Sequence, residues 1–190
     1  MCRLTPTETG KSFEEIKAIT GTVDPARIPN FLRLLTKSPA SAKAFVQAET
    51  ALANGELTQL LREKIALLVA EINGSEYCLA YHERNAREAG VHDTEIQLAR
   101  KASSDEPKIQ AMFHFVQAIV LQRGEVSNED FLAMRKAGYS ESEIVEILAN
   151  IVLNIFSNYF NLLAQTEVDR SLAQPDPKFL MSKKRVSESK

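Results

Sequence analysis

Cysteine is scarce in this chain. Only Cys2 and Cys78 occur in 190 residues, too few for a disulfide framework. An excess of charge of either sign is also lacking: 23 Lys and Arg stand against 25 Asp and Glu, for a net charge of -2. Such a balance provides no field to gather nucleic acid or an anionic membrane, so neither is expected as a partner. The N-terminal stretch MCRLTPTETGKSFEEI has no apolar core of the kind that directs export, and a cytoplasmic location is expected. No segment alternates convincingly with a period of two, which argues against a sheet. In a reducing compartment a lone internal cysteine is either inert packing or a reactive thiol, and that choice is the functional question.

What is present is helical. With 44% hydrophobic and 25% charged residues the composition is that of an ordinary globular protein, and disorder is excluded for most of the length. One compact domain is expected, all-α, a helical bundle. The spacing predicts helices near 29–36, 39–53, 57–72, 75–89, 93–102, 106–123, 127–137 and 140–166. The punctuation agrees: Ser38-Pro39 opens a helix, Asn54-Gly55 closes it, Asn73-Gly74 and Gly90 bracket another, and Gly124 and Gly138 end later ones. The expected organisation is a polar lead-in over 1–27, a helical domain over 28–172 and a mobile tail over 173–190 that carries Lys183, Lys184 and Arg185.

Residues 147–166, ILANIVLNIFSNYFNLLAQT, are uncharged and as long as a membrane span. Asn150, Asn154, Asn158 and Asn161 recur at helical spacing, however, and a lone helix in lipid could not satisfy them. The expectation is a helix buried all round, in the bundle or at a subunit interface, with its Asn side chains bonded to neighbours; a pocket lining is the lesser alternative. A faint echo between SEYCLA from Ser75 and SNYFNL from Ser157 suggests a duplicated helical hairpin, with Phe160 standing where the first half has Cys78.

The stretch NGSEYCLAYHERNAREAG, Asn73 to Gly90, concentrates the chemistry. Asn73 or Ser75 can cap the helix, and Asn73 with Glu76 has capping-box spacing. Cys78 then falls in the first turns, where free N–H groups and the helix dipole favour a thiolate. His82 lies four residues on, on the same face. If 57–72 and 75–89 form an antiparallel hairpin folded at Asn73, Glu63 lies ten residues before the turn and His82 nine after it. At about 1.5 Å rise per residue the two reach nearly equal heights. A carboxylate beside an imidazole fixes its tautomer and raises its basicity, which completes a nucleophile, base and orienter set.

The spacing of Glu63, Ser75, Cys78 and His82, followed by Ala86 and Gly90, resembles the alkylhydroperoxidase D-like core of the carboxymuconolactone decarboxylase family. The flanks IPNFLRLLTKSPA and ANIVLNIFSNYFNLLAQTEVD resemble its peroxidase-related branch, so the likeness runs from about Ile28 to Asp169. The resemblance implies a homo-oligomeric helical protein that reduces a hydroperoxide substrate through Cys78, with Glu63 and His82 as proton relay and a thiol or dithiol reductant as partner. In redox-active members a CxxC pair closes a disulfide; here Ser75 takes the first position and cannot. Ser75 could hydrogen-bond a thiolate or sulfenate, and the resolving thiol would be Cys2, a partner subunit or a small thiol. Tyr77 and Tyr81 flank the cysteine, more as packing than as chemistry, although either hydroxyl could face a pocket.

Two other readings stay open from the residues. One is acid–base chemistry on a lactone-type molecule, with Glu63 or His82 moving protons and Cys78 a bystander. The other is a non-enzymatic oligomeric or small-molecule-binding protein. Neither a cofactor nor a metal is called for, since a Cys and a His four apart supply only two close ligands.

Overall fold

A computed structural model describes residues 2–5, 11–21 and 28–169. Its helices are α1 (Lys11–Thr20), α2 (Asn30–Leu35), α3 (Pro39–Ala53), α4 (Gln59–Asn73), α5 (Glu76–Glu88), α6 (Asp93–Arg100), α7 (Pro107–Leu121), α8 (Asn128–Lys136) and α9 (Glu141–Ala164). No strand occurs among the described residues, so the fold is an all-α bundle. The expected tail, 173–190, lies outside them.

The boundaries follow from local chemistry. Ser38 accepts from the Ser41 N–H with Pro39 behind it at the first helical position, and Thr58 accepts from Leu61. Ser127 and Ser140 each form a reciprocal capping box, with Asp130 and Glu143 respectively. The turn between α4 and α5 needs Gly74 at φ 66, a left-handed conformation that glycine adopts without a Cβ clash.

Helix α4 is the axis of the bundle and packs against α5, α6, α7 and α9. Ile65 to Ala70 are all buried, as expected of a central helix that is apolar on every side. Its buried Lys64 is satisfied by Glu95 at 2.8 Å. Phe31, Phe45, Phe156 and Phe160 join α2, α3 and α9: Phe31 meets Phe45 edge-on at 5.0 Å and Phe160 at 5.5 Å, and Phe45 stacks on Phe156 at 5.9 Å.

Four details depart from the sequence reading. The lead-in contains helix α1, which packs on α2 and α3 and buries Ile16. Ser75 rather than Asn73 occupies the N-cap of α5, and neither side chain caps it: Asn73 donates instead to Asn158 on α9 at 3.0 Å. Helix α9 is not buried all round, because Val145, Leu148, Val152, Phe156, Tyr159 and Leu163 form an exposed stripe while the opposite face packs on α3, α4, α5 and α7. The echo between Ser75 and Ser157 does not mark equivalent places, since Ser75 starts a helix and Ser157 lies inside α9.

Candidate active site

The α4–α5 hairpin brings Glu63 and His82 together as their heights require: His82 Nδ1 lies 2.7 Å from Glu63 Oε2, both side chains largely shielded from solvent. A carboxylate at that distance accepts the Nδ1–H hydrogen bond, which keeps that proton on Nδ1 and leaves Nε2 as the nitrogen that exchanges protons. Cys78 is the third residue of α5, inside the first turn, where backbone N–H groups lack helical partners. Cys78, His82 and Glu63 line one cavity of about 590 Å³, within the range of small-molecule sites.

The sulfur is not joined to His82 by a hydrogen bond. Its contacts come from α9: Asn161 Nδ2 donates to Sγ at 3.3 Å, and Ser157 Oγ lies 4.0 Å away. The Ser157 proton is committed to the Asn154 carbonyl at 3.0 Å. A molecule seated in the cavity meets both Cys78 and His82 and can carry a proton between them. Two further asparagines of the stripe, Asn150 and Asn154, line the same cavity, and each donates to its own helix four residues back.

The two supporting residues part company. Ser75 is buried but does not line the cavity, and its Oγ has no partner among the described residues, so it gives neither a cap nor a contact to Cys78. Tyr77 donates to Asp169 Oδ2 at 2.6 Å and accepts the Phe31 N–H at 3.1 Å, pinning α5 to the start of α2 and to the chain beyond α9. Burial first, and the hydrogen bond to the Asp169 carboxylate next, hold its phenol far above its ordinary value. Tyr77 therefore remains a neutral donor.

Helix α3 adds a carboxylate that the spacing did not reveal. Glu49 lines the cavity and makes no hydrogen bond or ion pair to a described residue. Glu49 is exposed, and partial desolvation of its carboxyl raises its pKa; Glu63 raises it further, while His82 and Arg62 act the other way. Tyr81 is raised too, by burial first and then by Glu49. The Arg84 guanidinium stacks 5.2 Å above the Tyr81 ring. On the far side Phe31, Leu32, Phe45 and Val46 make an apolar wall.

Cys2 lies apart from the cavity, half-buried, with its thiol 3.1 Å from the Ala164 carbonyl at the end of α9. No cluster of three metal-ligating side chains occurs among the described residues.

The fold is of the alkylhydroperoxidase D-like helical type. Residues 39–119, from α3 into α7, match the model of the carboxymuconolactone decarboxylase family, and the family likeness is shown over that segment. A Cys-to-Ala variant of the debrominase Bmp8 in complex with 2,3,4-tribromopyrrole is similar at 20% identity and a TM-score of 0.72, over 90% of this chain and 93% of that one. An uncharacterized peroxidase-related protein from Silicibacter sp. TM1040 is 22% identical with a TM-score of 0.72, over 88% and 87%. A peroxidase-related protein with an alkylhydroperoxidase AhpD core, from Ralstonia eutropha JMP134, is 22% identical with a TM-score of 0.65, over 90% and 86%. No curated protein matches the chain.

Proposed function

We propose that the protein reduces hydroperoxides through the single cysteine Cys78, with His82 and Glu63 as the proton relay. The observation that carries this reading is the Glu63–His82 pair at 2.7 Å opening on the same cavity as a cysteine in the first turn of a helix. The Cys78 thiolate attacks the outer oxygen of the hydroperoxide, an S–O bond forms and the O–O bond breaks. Sulfur is oxidised by two electrons to a sulfenic acid, and the departing alkoxide takes a proton from the His82 imidazolium to leave as an alcohol. An external thiol or dithiol reductant then returns the sulfenic acid to the thiol, since Ser75 cannot close a disulfide.

A homo-oligomer is part of this reading, with a second copy covering the apolar stripe of α9; so is a reducing, cytoplasmic setting in which a lone thiol survives. The deciding experiment uses a Cys2→Ser variant, mixed with an alkyl hydroperoxide while peroxide loss is followed and sulfenic acid is trapped for mass spectrometry. Rapid loss with one trapped adduct on Cys78 supports the proposal. An inert thiol sinks it.

One observation favours a second reading. Glu49, whose pKa desolvation raises, lines the same cavity as the Glu63–His82 pair and adds a second carboxyl for acid–base chemistry there. Acid–base chemistry on a lactone-type molecule would use these two and survive Cys78→Ser, whereas peroxide reduction would not.

A further inference from the structure

We propose that Asn161 is a catalytic residue of this site: its side-chain N–H stabilises the Cys78 thiolate, and its oxygen receives the O–H of the hydroperoxide under attack. The inference rests on the peroxide-reducing reading and deepens it. Asn161 is buried, lines the cavity, and places Nδ2 3.3 Å from Sγ. Its Oδ1 is buried and has no partner among the described residues. A buried carbonyl oxygen without a donor is costly to keep, and here it belongs to the same planar carboxamide that touches the nucleophile. Oδ1 is thus an unused acceptor on the same carboxamide as the N–H that meets Sγ, available to an O–H donor brought in beside the sulfur.

A hydroperoxide meets that requirement. Its outer oxygen carries the O–H and is the atom the thiolate attacks. With that hydrogen on Oδ1, the outer oxygen lies next to sulfur and the inner oxygen points into the cavity toward the relay. After S–O formation the same hydrogen is the sulfenic acid proton, still held by Oδ1, while the inner oxygen leaves with a proton from His82. Atoms and electrons balance, with hydroperoxide reduced to alcohol and thiolate oxidised to sulfenic acid.

The other candidates for the thiolate contact are weaker. Ser157 has given its proton to Asn154, and His82 makes no hydrogen bond to Cys78. Of the charged and titratable groups that share the cavity, α3 contributes Glu49, α4 contributes Arg62 and Glu63, and α5 contributes Tyr77, Tyr81, His82 and Arg84. Helix α9 contributes only neutral groups, so the effect of Asn161 is one of hydrogen bonding rather than of net charge.

The test uses the full chain with Cys2→Ser, so that one thiol remains. Asn161→Leu, Asn161→Asp and Ser157→Ala are each compared with it. Three quantities are read at neutral pH: thiolate ultraviolet absorbance, the rate of alkylation by iodoacetamide, and the rate of reaction with tert-butyl hydroperoxide. Loss of one preorganised donor typically costs about 10²–10³ in rate. Asn161→Leu is expected to lower the thiolate signal, slow alkylation, and slow the peroxide reaction on that larger scale because both contacts vanish. Asn161→Asp keeps the shape and an acceptor oxygen but trades the N–H for a carboxylate beside sulfur, and should lower the thiolate signal and slow both reactions even if the leucine variant fails to fold. Ser157→Ala removes only a weak acceptor 4.0 Å from the sulfur and should move all three readouts less than Asn161→Leu does. Wild-type thiolate signal and rates in folded Asn161→Asp would overturn the proposal. A parent protein that alkylates normally but consumes no hydroperoxide would instead overturn the reading on which it rests, and the alkylation comparison would still decide the N–H contact.

Discussion

Glu63 and His82 meet because two helices of known rise fold back at a single turn, and the same arithmetic fixes what their loss should do. In the peroxide reaction His82→Asn removes the proton donor to the leaving oxygen and should slow turnover by about 10²–10⁴. Glu63→Gln keeps the shape but loses the charge that holds the imidazole, and should show a smaller loss together with a displaced pH–rate profile. Equal rates in stopped-flow peroxide consumption for parent and His82→Asn would refute the relay. Glu49 makes a different kind of prediction. Desolvation raises its pKa above the ordinary 4.5, so the folded chain binds this proton more tightly than the unfolded chain. Its contribution to stability is therefore full below the unfolded value and is lost as pH rises through the folded one. Glu49→Gln should raise the melting temperature at neutral pH and make no gain at pH values below the ordinary carboxylate range. A gain of equal size at both pH values would contradict this origin. Cys78, His82 and Glu63 were legible because they lie within one hairpin, where sequence distance determines spatial distance. Asn161 and Glu49 were not, since helices more than 80 and nearly 30 residues from Cys78 deliver them and only tertiary packing says which face points inward.

Helix α9 shows how far a single element can be read from its pattern. Its extent near 140–166 and its polar asparagine stripe were legible, but the expected bonding of every asparagine to neighbours is incomplete: Asn150 and Asn154 bond back to their own helix, and Asn158 Nδ2 and Asn161 Oδ1 have no partner among the described residues. The function of that stripe depended on which neighbour it met: Asn158 meets Asn73, and Asn161 meets a sulfur. The apolar residues of the other face, Val145 at 66% exposure and Tyr159 at 58% among them, remain exposed among the described residues. Length and composition alone would let α9 cross a membrane. With one face packed on the bundle, a second copy of the chain is the proposed cover. Two glutamates introduced as Val152→Glu and Tyr159→Glu should then weaken self-association at least 100-fold, about 2.7 kcal/mol. Burying each such side chain is worth about 1.5–3 kcal/mol, so this loss is within reach. Light scattering coupled to size exclusion would read it, and a parent that is already monomeric at micromolar concentration would sink the proposed interface. Helix α1 went unread for the converse reason: it is short, and three apolar residues three apart, Phe13, Ile16 and Ile19, are too brief a pattern to stand out, so only its packing on α2 and α3 gives it weight.

Across the whole molecule the site depends on α5 keeping its register against α4, and a buried ionic clasp on the side away from the cavity holds it. Arg100 of α6 bonds Glu71 of α4 at 2.7 Å and Glu83 of α5 at 2.8 Å, all three almost fully buried. Glu83 also meets Arg87, which reaches on to Asp93 at the start of α6. Three helices are thus joined at one guanidinium, next to the residue that follows His82. A buried pair is weak evidence for net stability, since apolar replacements of matched volume can serve as well, but removing one partner leaves a desolvated charge and costs about 3–5 kcal/mol. Glu83→Ala should therefore lower the urea midpoint without changing the slope, and should slow the peroxide reaction below the melting temperature as His82 loses its fixed distance to Glu63. Replacing the trio together, as Glu71→Leu, Glu83→Leu and Arg100→Met, removes the stranded charge and should recover much of the stability. Peroxide turnover then separates two roles for the clasp. If it recovers along with stability, the clasp only holds helices together; if it stays low in a stable triple variant, the clasp also sets the alignment of the Glu63–His82 pair with Cys78, and its geometry belongs to the mechanism.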